Sequence, residues 1–293
     1  MHKSGFVNII GNPNVGKSTL MNALVGERLS IITNKSQTTR HRIMGIVNGE
    51  DFQIVYSDTP GILTPHYKMQ EAMMKFVSAA LVDADIILYV TDVVEQHDKH
   101  SEHLEKLKNI DIQTVIVVNK IDLCTPEKLN ELVERWHELL PKALIFPTSA
   151  LQKFNLDALF KKLVDLLPEG HAYYDKDQLT DRSLRFFASE IIREKILLNY
   201  DKEIPYSTEV VVDAFQEEPD MYRISAIIYV ARESQKAIII GHQGKMLKKT
   251  GTEARKDMET FFDKKVFLQT FVKVNSDWRD SDRKLREFGY IQE

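Results

Sequence analysis

Two glycine-bearing stretches near opposite ends of the chain carry residue types suited to chemistry. The first, GNPNVGKS at residues 11–18, has the spacing G-x-x-x-x-G-K-S and stands between a strand-like and a helix-like run. That placement marks a phosphate cradle rather than a chance turn. Gly11 and Gly16 permit a tight turn in which the backbone of Asn12, Asn14 and Val15 can face phosphate oxygens. Thr19 lies in the helix that follows, whose N-terminal end adds positive charge. Lys17 suits the β- and γ-phosphates, and Ser18 suits a magnesium ion. The second stretch, IIIGHQGKMLKK at 238–249, sets Gly241, His242, Gln243 and Gly244 ahead of Lys245, Lys248 and Lys249. Lysines in the first turn of a helix oppose its dipole, so an anion is expected there.

A phosphate cradle does not choose its base, but NKID at 119–122 does. The Asp122 carboxylate can accept from both N1–H and the 2-amino group of guanine, whereas adenine offers neither donor. Sites built on such hydrogen bonds discriminate strongly. Lys120 can lie along the base plane, and Asn119 can tie this loop to the phosphate loop. In TSA at 148–150, Ser149 and Ala150 follow the next strand, where an amide can reach the guanine carbonyl. DTPG supplies Asp58, Thr59, Pro60 and Gly61. Asp58 would hold magnesium through water, and the Gly61 amide would sense the γ-phosphate. QTTRH at 37–41 must complete the magnesium shell; Thr39 is the expected ligand and Thr38 the alternative. Lys17, Thr39 and Gly61 are thus the candidates for catalysis.

These residues need a frame. Near-continuously apolar runs at 6–11, 52–58, 85–92, 113–120 and 143–149 read as parallel strands buried on both faces. Helical patterns at 101–110, 126–140 and 155–167 alternate with them, which predicts βαβ units around one sheet. Residues 42–58 read instead as a hairpin adding an antiparallel edge strand. Pro168 and Gly170 close this block, so the predicted division is 1–170, a linker at 171–182, and a second domain at 183–293. The second half runs helix 183–200, strands 208–216 and 222–232, the G-x-x-G stretch between two helical segments, and strand 264–274. A G-x-x-G loop in this α-β-β-α-α-β order matches the KH module, which clamps about four nucleotides of single-stranded nucleic acid. The apolar run Ala237–Ile240 is expected to line the cleft against which bases rest, with Lys236 and Ile240 among the candidate RNA contacts. Residues 223–256 hold eight basic and two acidic side chains, a local +6 in a chain whose net charge is −4. The bland reading of those lysines is a solvated helix face; loop, charge and element order together favour RNA.

The chain resembles the translation-factor-related GTPases, and the order GNPNVGKS, QTTRH, DTPG, NKID and TSA is similar to that of the Era family. YYDKDQLTD, SEIIREKI and DWRDSDRKLREFGY extend the likeness over essentially the whole length. The resemblance implies an α/β Ras-like P-loop GTPase domain followed by a small α+β KH domain of type II. It also implies Mg2+-dependent hydrolysis of GTP to GDP and phosphate as a switch, and binding of the 3′ end of small-subunit rRNA during 30S subunit assembly. A monomer is implied, as is loose association with the inner face of a membrane. The glutamine that orients water in small signalling GTPases is missing after DTPG; Ile62 and Leu63 stand there, and the next glutamine is Gln70. Related GTPases with asparagine at the position of Asn14 bind K+ beside the phosphates, so Asn14 is either a K+ ligand or a structural asparagine.

Composition bounds the rest. A length of 293 residues suits two domains, and 43% hydrophobic with 28% charged residues is ordinary for a globular protein. The single cysteine, Cys124, excludes an intramolecular disulfide and a Cys-rich zinc site, and fits a reducing cytoplasmic setting. No apolar run approaches the roughly 18 residues of a membrane span. His97, His100 and His103 repeat every third residue, yet read better as an exposed helix start than as a metal site. Trp278 and Arg279 in DWRD are suited either to stacking on an RNA base or to pinning the C-terminal tail, and pinning is the favoured expectation. The rival classes are a P-loop kinase or ATPase, against which NKID argues, and a switch whose second domain grips a protein.

Overall fold

The computed structural model describes residues 1–95 and 101–291. His97 and His100, and the side chain of His103, lie outside the described residues. The chain divides into two compact units, one of residues 1–64 and 73–181 and the other of residues 65–72 and 182–293.

The earlier elements run β1 (Lys3–Gly11), α1 (Lys17–Val25), β2 (Ile43–Asn48), β3 (Phe52–Asp58), α2 (Lys68–Val82, of the first unit from Met73 on), β4 (Ile86–Asp92), α3 (Ser101–Asn109), β5 (Gln113–Asn119), α4 (Pro126–Leu139), β6 (Leu144–Pro147) and α5 (Leu156–Leu166). Six strands form one sheet in the order β2-β3-β1-β4-β5-β6, parallel except for β2. Every residue of β4, and every residue of β5 after Gln113, is buried, as a sheet covered on both faces requires. The chain reverses between β1 and β4, and the carboxyl ends of β1, β3, β4, β5 and β6 meet on one side, where such sheets open a crevice. Caps fix the helix starts: the Thr125 side chain accepts from the Lys128 amide, with Pro126 opening α4.

The segment predicted as a linker is docked. Its Tyr173 and Tyr174 amides donate to Gln53 Oε1, the Leu179 carbonyl accepts from the Ile46 amide at 2.8 Å, and Thr180 Oγ1 donates to the Met44 carbonyl. The bonds to Ile46 and Met44 occupy the open edge of β2, which would otherwise invite pairing with another strand.

The second unit contains α6 (Leu184–Asn199), β7 (Thr208–Glu217), β8 (Met221–Val230), α7 (Glu233–Ile240), α8 (Lys245–Phe262), β9 (Lys265–Val274) and the short α9 (Asp282–Glu287). The sheet order is β7-β8-β9, with β7 antiparallel and β9 parallel to β8. Ile192 and Ile196 of α6, Ile228 of β8, Ile239 of α7 and Met258 of α8 share one core, each essentially without exposure. Trp278 is fully buried and donates from Nε1 to the Ser207 carbonyl, so it pins the tail as expected. No helix among the described residues is long and apolar enough to cross a membrane.

Candidate functional site

At the carboxyl end of β1 the chain turns through Asn14 (φ 65°) and Gly16 (φ 95°) into α1. A Cβ on Gly16 would stand 2.3 Å from Asn119 Nδ2, so glycine is needed both for its dihedral and for the approach of the NKID loop. Lys17 is buried and its ammonium donates to the carbonyls of Gly11 and Asn12 at 3.0 and 2.7 Å. Burial holds its pKa down to about 8, with the charges of Asp58 and Glu95 pulling the other way. A polyphosphate there would restore the full charge.

Ser18, Thr39 and Asp58 meet beside this lysine. Ser18 Oγ donates to Asp58 Oδ2 at 2.7 Å and lies 2.9 Å from Thr39 Oγ1, which itself donates to Asp58 Oδ2 at 3.3 Å. Asp58 Oδ1 is buried with no partner. Burial pushes the Asp58 carboxyl up, opposed by the Ser18 hydrogen bond and the charge of Lys17. Two hydroxyls and a carboxylate with an unmatched oxygen are a donor set that fits a hard divalent cation. Thr38 faces elsewhere: its hydroxyl donates to the Lys35 carbonyl and touches Thr33 Oγ1, both at 2.6 Å. Thr59 also turns away, donating to the Ile9 carbonyl at 2.8 Å. Gly61 abuts the phosphate loop so closely that a Cβ would come within 2.8 Å of Pro13 Cα.

At the base end, Asn119 Nδ2 donates to the Val15 carbonyl at 2.9 Å, and Asn119 Oδ1 accepts from the Ala150 amide at 2.9 Å. One side chain thus ties the loops after β1, β5 and β6 together. Asp122 Oδ1 accepts from Ser149 Oγ at 2.6 Å, which orients the carboxylate. Lys120 donates to the Asn14 carbonyl and to Asp92 Oδ2, both at 2.5 Å. A pocket of about 430 Å3 opens beside the phosphate loop, lined by Lys17, Ser18, Thr39 and Gly61 and reaching Lys120. Its outer wall includes Ile31, Ile32, Asn34, Lys35 and Leu151, none of which the motifs single out. Asp92 and Glu95 were also missed. Asp92 anchors Lys120 and accepts from the amides of Val94 and Glu95, while Glu95 is hydrogen-bonded to Asn12 and Thr91. The acidic end of β4 was the available signal. Gln70 is no substitute for a water-orienting glutamine here: it is buried, and its Oε1 accepts from the His66 amide at 2.8 Å.

In the second unit, Gly241 (φ 69°), Gln243 (φ 51°) and Gly244 (φ 76°) form the corner between α7 and α8. His242, Gln243, Lys245, Lys248 and Lys249 are exposed there. No acidic residue stands in the first turn of α8. A cleft of about 340 Å3 adjoins the corner, walled by Gly244, Leu247, Lys248 and Arg255 on one side and by Leu268 and Thr270 of β9 on the other. The expectation that the whole run Ala237–Ile240 lines the cleft is corrected at one residue: Ile239 is wholly buried in the core, while Ala237 and Ile238 are exposed and Lys236 and Ile240 half-buried. Successive residues of a helix point about 100° apart, so four in a row cannot share one face.

A Ras-like sheet with a phosphate loop and a guanine-reading loop, followed by a separate G-x-x-G unit, defines a P-loop GTPase joined to a KH domain. The family model for 50S ribosome-binding GTPases matches residues 6–120, and that for KH domains matches residues 203–279. GTPase Era of Syntrophus aciditrophicus is 48% identical over 99% of this chain and 96% of its own length. GTPase Era of Clostridium kluyveri is 45% identical over 99% of this chain and all of its own. A solved structure of Era with MgGDPNP and nucleotides 1506–1542 of 16S ribosomal RNA superposes with a TM-score of 0.95 at 37% identity, covering both chains fully. An Aquifex aeolicus Era variant bound to GDP·AlF4− gives the same score and identity over 99% of this chain. The chain belongs to the Era GTPase family and is a GTP hydrolase.

Proposed function

We propose that GTP occupies the 430 Å3 pocket as a switch ligand and that the KH cleft takes single-stranded sequence at the 3′ end of small-subunit rRNA, in assembly of the 30S subunit. The observation that carries the nucleotide half is the meeting of Ser18, Thr39 and Asp58 beside Lys17, with Asp122 oriented at the other end. Gly11, Asn12, Asn14, Val15, Gly16 and Thr19 cradle the phosphates. Asp58, Thr59, Pro60 and Gly61 respond to the γ-phosphate through the Gly61 amide, while Thr59 acts as a clamp on β1. Asn119, Lys120, Ser149 and Ala150 frame the guanine. Magnesium held by Ser18 and Thr39, with Asp58 behind it, would neutralise charge on the β- and γ-phosphate oxygens.

Hydrolysis without a glutamine leaves the transition-state charge to other groups. K+ held beside Asn14, whose side-chain amide donates to the Asn34 carbonyl at 3.1 Å, would supply part of that charge. Faster turnover in K+ than in Na+ is expected, and equal rates would remove K+ from the scheme. On the RNA side, Gly241, His242, Gln243 and Gly244 meet the backbone, with Lys245, Lys248 and Lys249 neutralising phosphates. Lys236 and Ile240 flank the loop. The working form is a cytoplasmic monomer, loosely held at the inner membrane face, with functional parts at 1–170 and 183–293.

The test is binding of a short RNA matching the rRNA 3′ end in the presence of a GTP analogue and then of GDP. Tighter, salt-sensitive binding with the analogue is expected. Nucleotide-independent affinity would break the coupling, and absence of binding would end the RNA reading.

A further inference from the structure

The outward face of β9 carries Lys265, Phe267, Gln269, Phe271 and Lys273, with no acidic residue, while Val266, Leu268, Thr270, Val272 and Val274 turn inward. A sheet with its core on one side ordinarily shows polar residues on the other. Phe267 and Phe271 break that pattern, with 43% and 50% of their surface exposed. One exposed apolar residue needs no explanation, but these two share a face, about 13 Å apart along the strand. The Arg223 guanidinium, which also pairs with Glu218 at 2.6 Å, lies 5.3 Å from the Phe267 ring centroid. Lysines on an edge strand are explained by protection against strand pairing; exposed phenylalanines between them are not.

We propose that this face is a second nucleic-acid platform, on which bases of a single strand stack against Phe267 and Phe271 while Lys265, Lys273 and Arg223 meet its phosphates. The proposal rests on the reading of the G-x-x-G cleft as an RNA site and extends it. Two observations favour a polyanion with flat apolar faces over a protein. Interfaces with proteins deplete lysine at their centre, whereas stacking grooves for single strands combine aromatic rings with positive charge. The platform is also continuous with the cleft. β9 is the outermost strand of its sheet, and its Leu268 and Thr270 wall the cleft on the opposite face. A strand leaving the cleft needs only to cross the edge of β9 to reach both rings. Elsewhere the same outer face is already covered: Phe288 packs on Tyr229 with ring centroids 5.4 Å apart, and the Tyr290 hydroxyl donates to Glu209.

The experiment compares an oligonucleotide of about four nucleotides, enough for the cleft, with one of about twelve, by fluorescence anisotropy on the full chain. The Phe267→Ala/Phe271→Ala protein is expected to lose about tenfold or more in affinity for the longer RNA. Its affinity for the shorter RNA and its unfolding midpoint stay at the parent values. Phe267→Trp is expected to keep the affinity, with its emission quenched by the longer RNA alone. Equal losses at both lengths would mean that the rings act through the cleft, and unchanged affinity for the longer RNA would assign the face to a protein partner; either result overturns the platform. A parent chain that binds neither RNA would overturn the cleft reading as well, which separates the two failures.

Discussion

Lys17 is a charge placed where the fold alone does not want it. Burial holds its pKa to about 8, so the nucleotide-free protein carries a desolvated ammonium that donates to two carbonyls. Lys17→Met is therefore expected to raise the unfolding free energy of the nucleotide-free protein by about 1–2 kcal/mol and to abolish stabilisation by GTP. Denaturant titrations with and without nucleotide check both halves; a destabilised Lys17→Met protein would refute the first. Asp122 carries base choice. In Asp122→Asn one of the two acceptor oxygens becomes a donor, so guanine loses a hydrogen bond and meets an unmatched amide. A loss of at least about a hundredfold in GTP affinity is expected, with partial recovery for xanthosine triphosphate, whose C2 carbonyl accepts from that amide. Competition with labelled GDP measures it, and unchanged guanine preference would place recognition elsewhere.

At the scale of elements, the α7–α8 corner separates two glycines of unequal tolerance. A Cβ on Gly241 would meet Met246 Cβ at 2.8 Å, whereas one on Gly244 would meet nothing within 4 Å. Gly241→Asp is thus expected to lower the unfolding midpoint, because it forces α8 away from α7. Gly244→Asp adds only the strain of a left-handed aspartate, about 1 kcal/mol, and places a negative charge at the phosphate path. Thermal melts paired with RNA titration should find Gly244→Asp folded and at least about tenfold weaker in RNA binding. If it binds RNA as well as the parent, the corner does not touch the phosphates. The docked segment 171–181 is the other element-scale result: it covers the β2 edge with one backbone bond, from Ile46 to Leu179, and one from the Thr180 hydroxyl, which its polar composition did not advertise.

Each of the two units encloses apolar cores of its own, one around Ile87, Tyr89, Ile116 and Trp136 in the first unit and one around Ile192, Ile228 and Met258 in the second. Separate units with separate cores are separate cooperative units, and a ligand stabilises only the unit it binds. GTP with magnesium is expected to raise the earlier-numbered unit's transition, by about 2.7 kcal/mol at a hundredfold excess over its dissociation constant. Chelating the metal should reverse most of that shift, since Asp58 then faces the phosphates uncompensated. Calorimetry resolves the two transitions; a chelation-insensitive shift would remove Ser18, Thr39 and Asp58 from any metal role.

Much of this was legible in the residues themselves. Spacing disclosed the phosphate loop, NKID and the G-x-x-G corner because each depends on local backbone geometry and on side-chain types that chemistry restricts. Apolar runs placed the strands to within about three residues, since a strand buried on both faces must be apolar throughout. Helix α2 was not singled out, and the pocket wall at Ile31–Lys35 has no motif to announce it. Asp92 acts through Lys120, a partner 28 residues away, and Glu95 through Asn12, so neither role exists until β1, β4 and β5 lie side by side. The choice of Thr39 over Thr38 was likewise a matter of where two adjacent hydroxyls point. The sequence by itself determined which chemistry is available and the order of the elements that carry it. Only the tertiary structure decided which side chains meet, because contacts between distant residues depend on packing directions that no local spacing encodes.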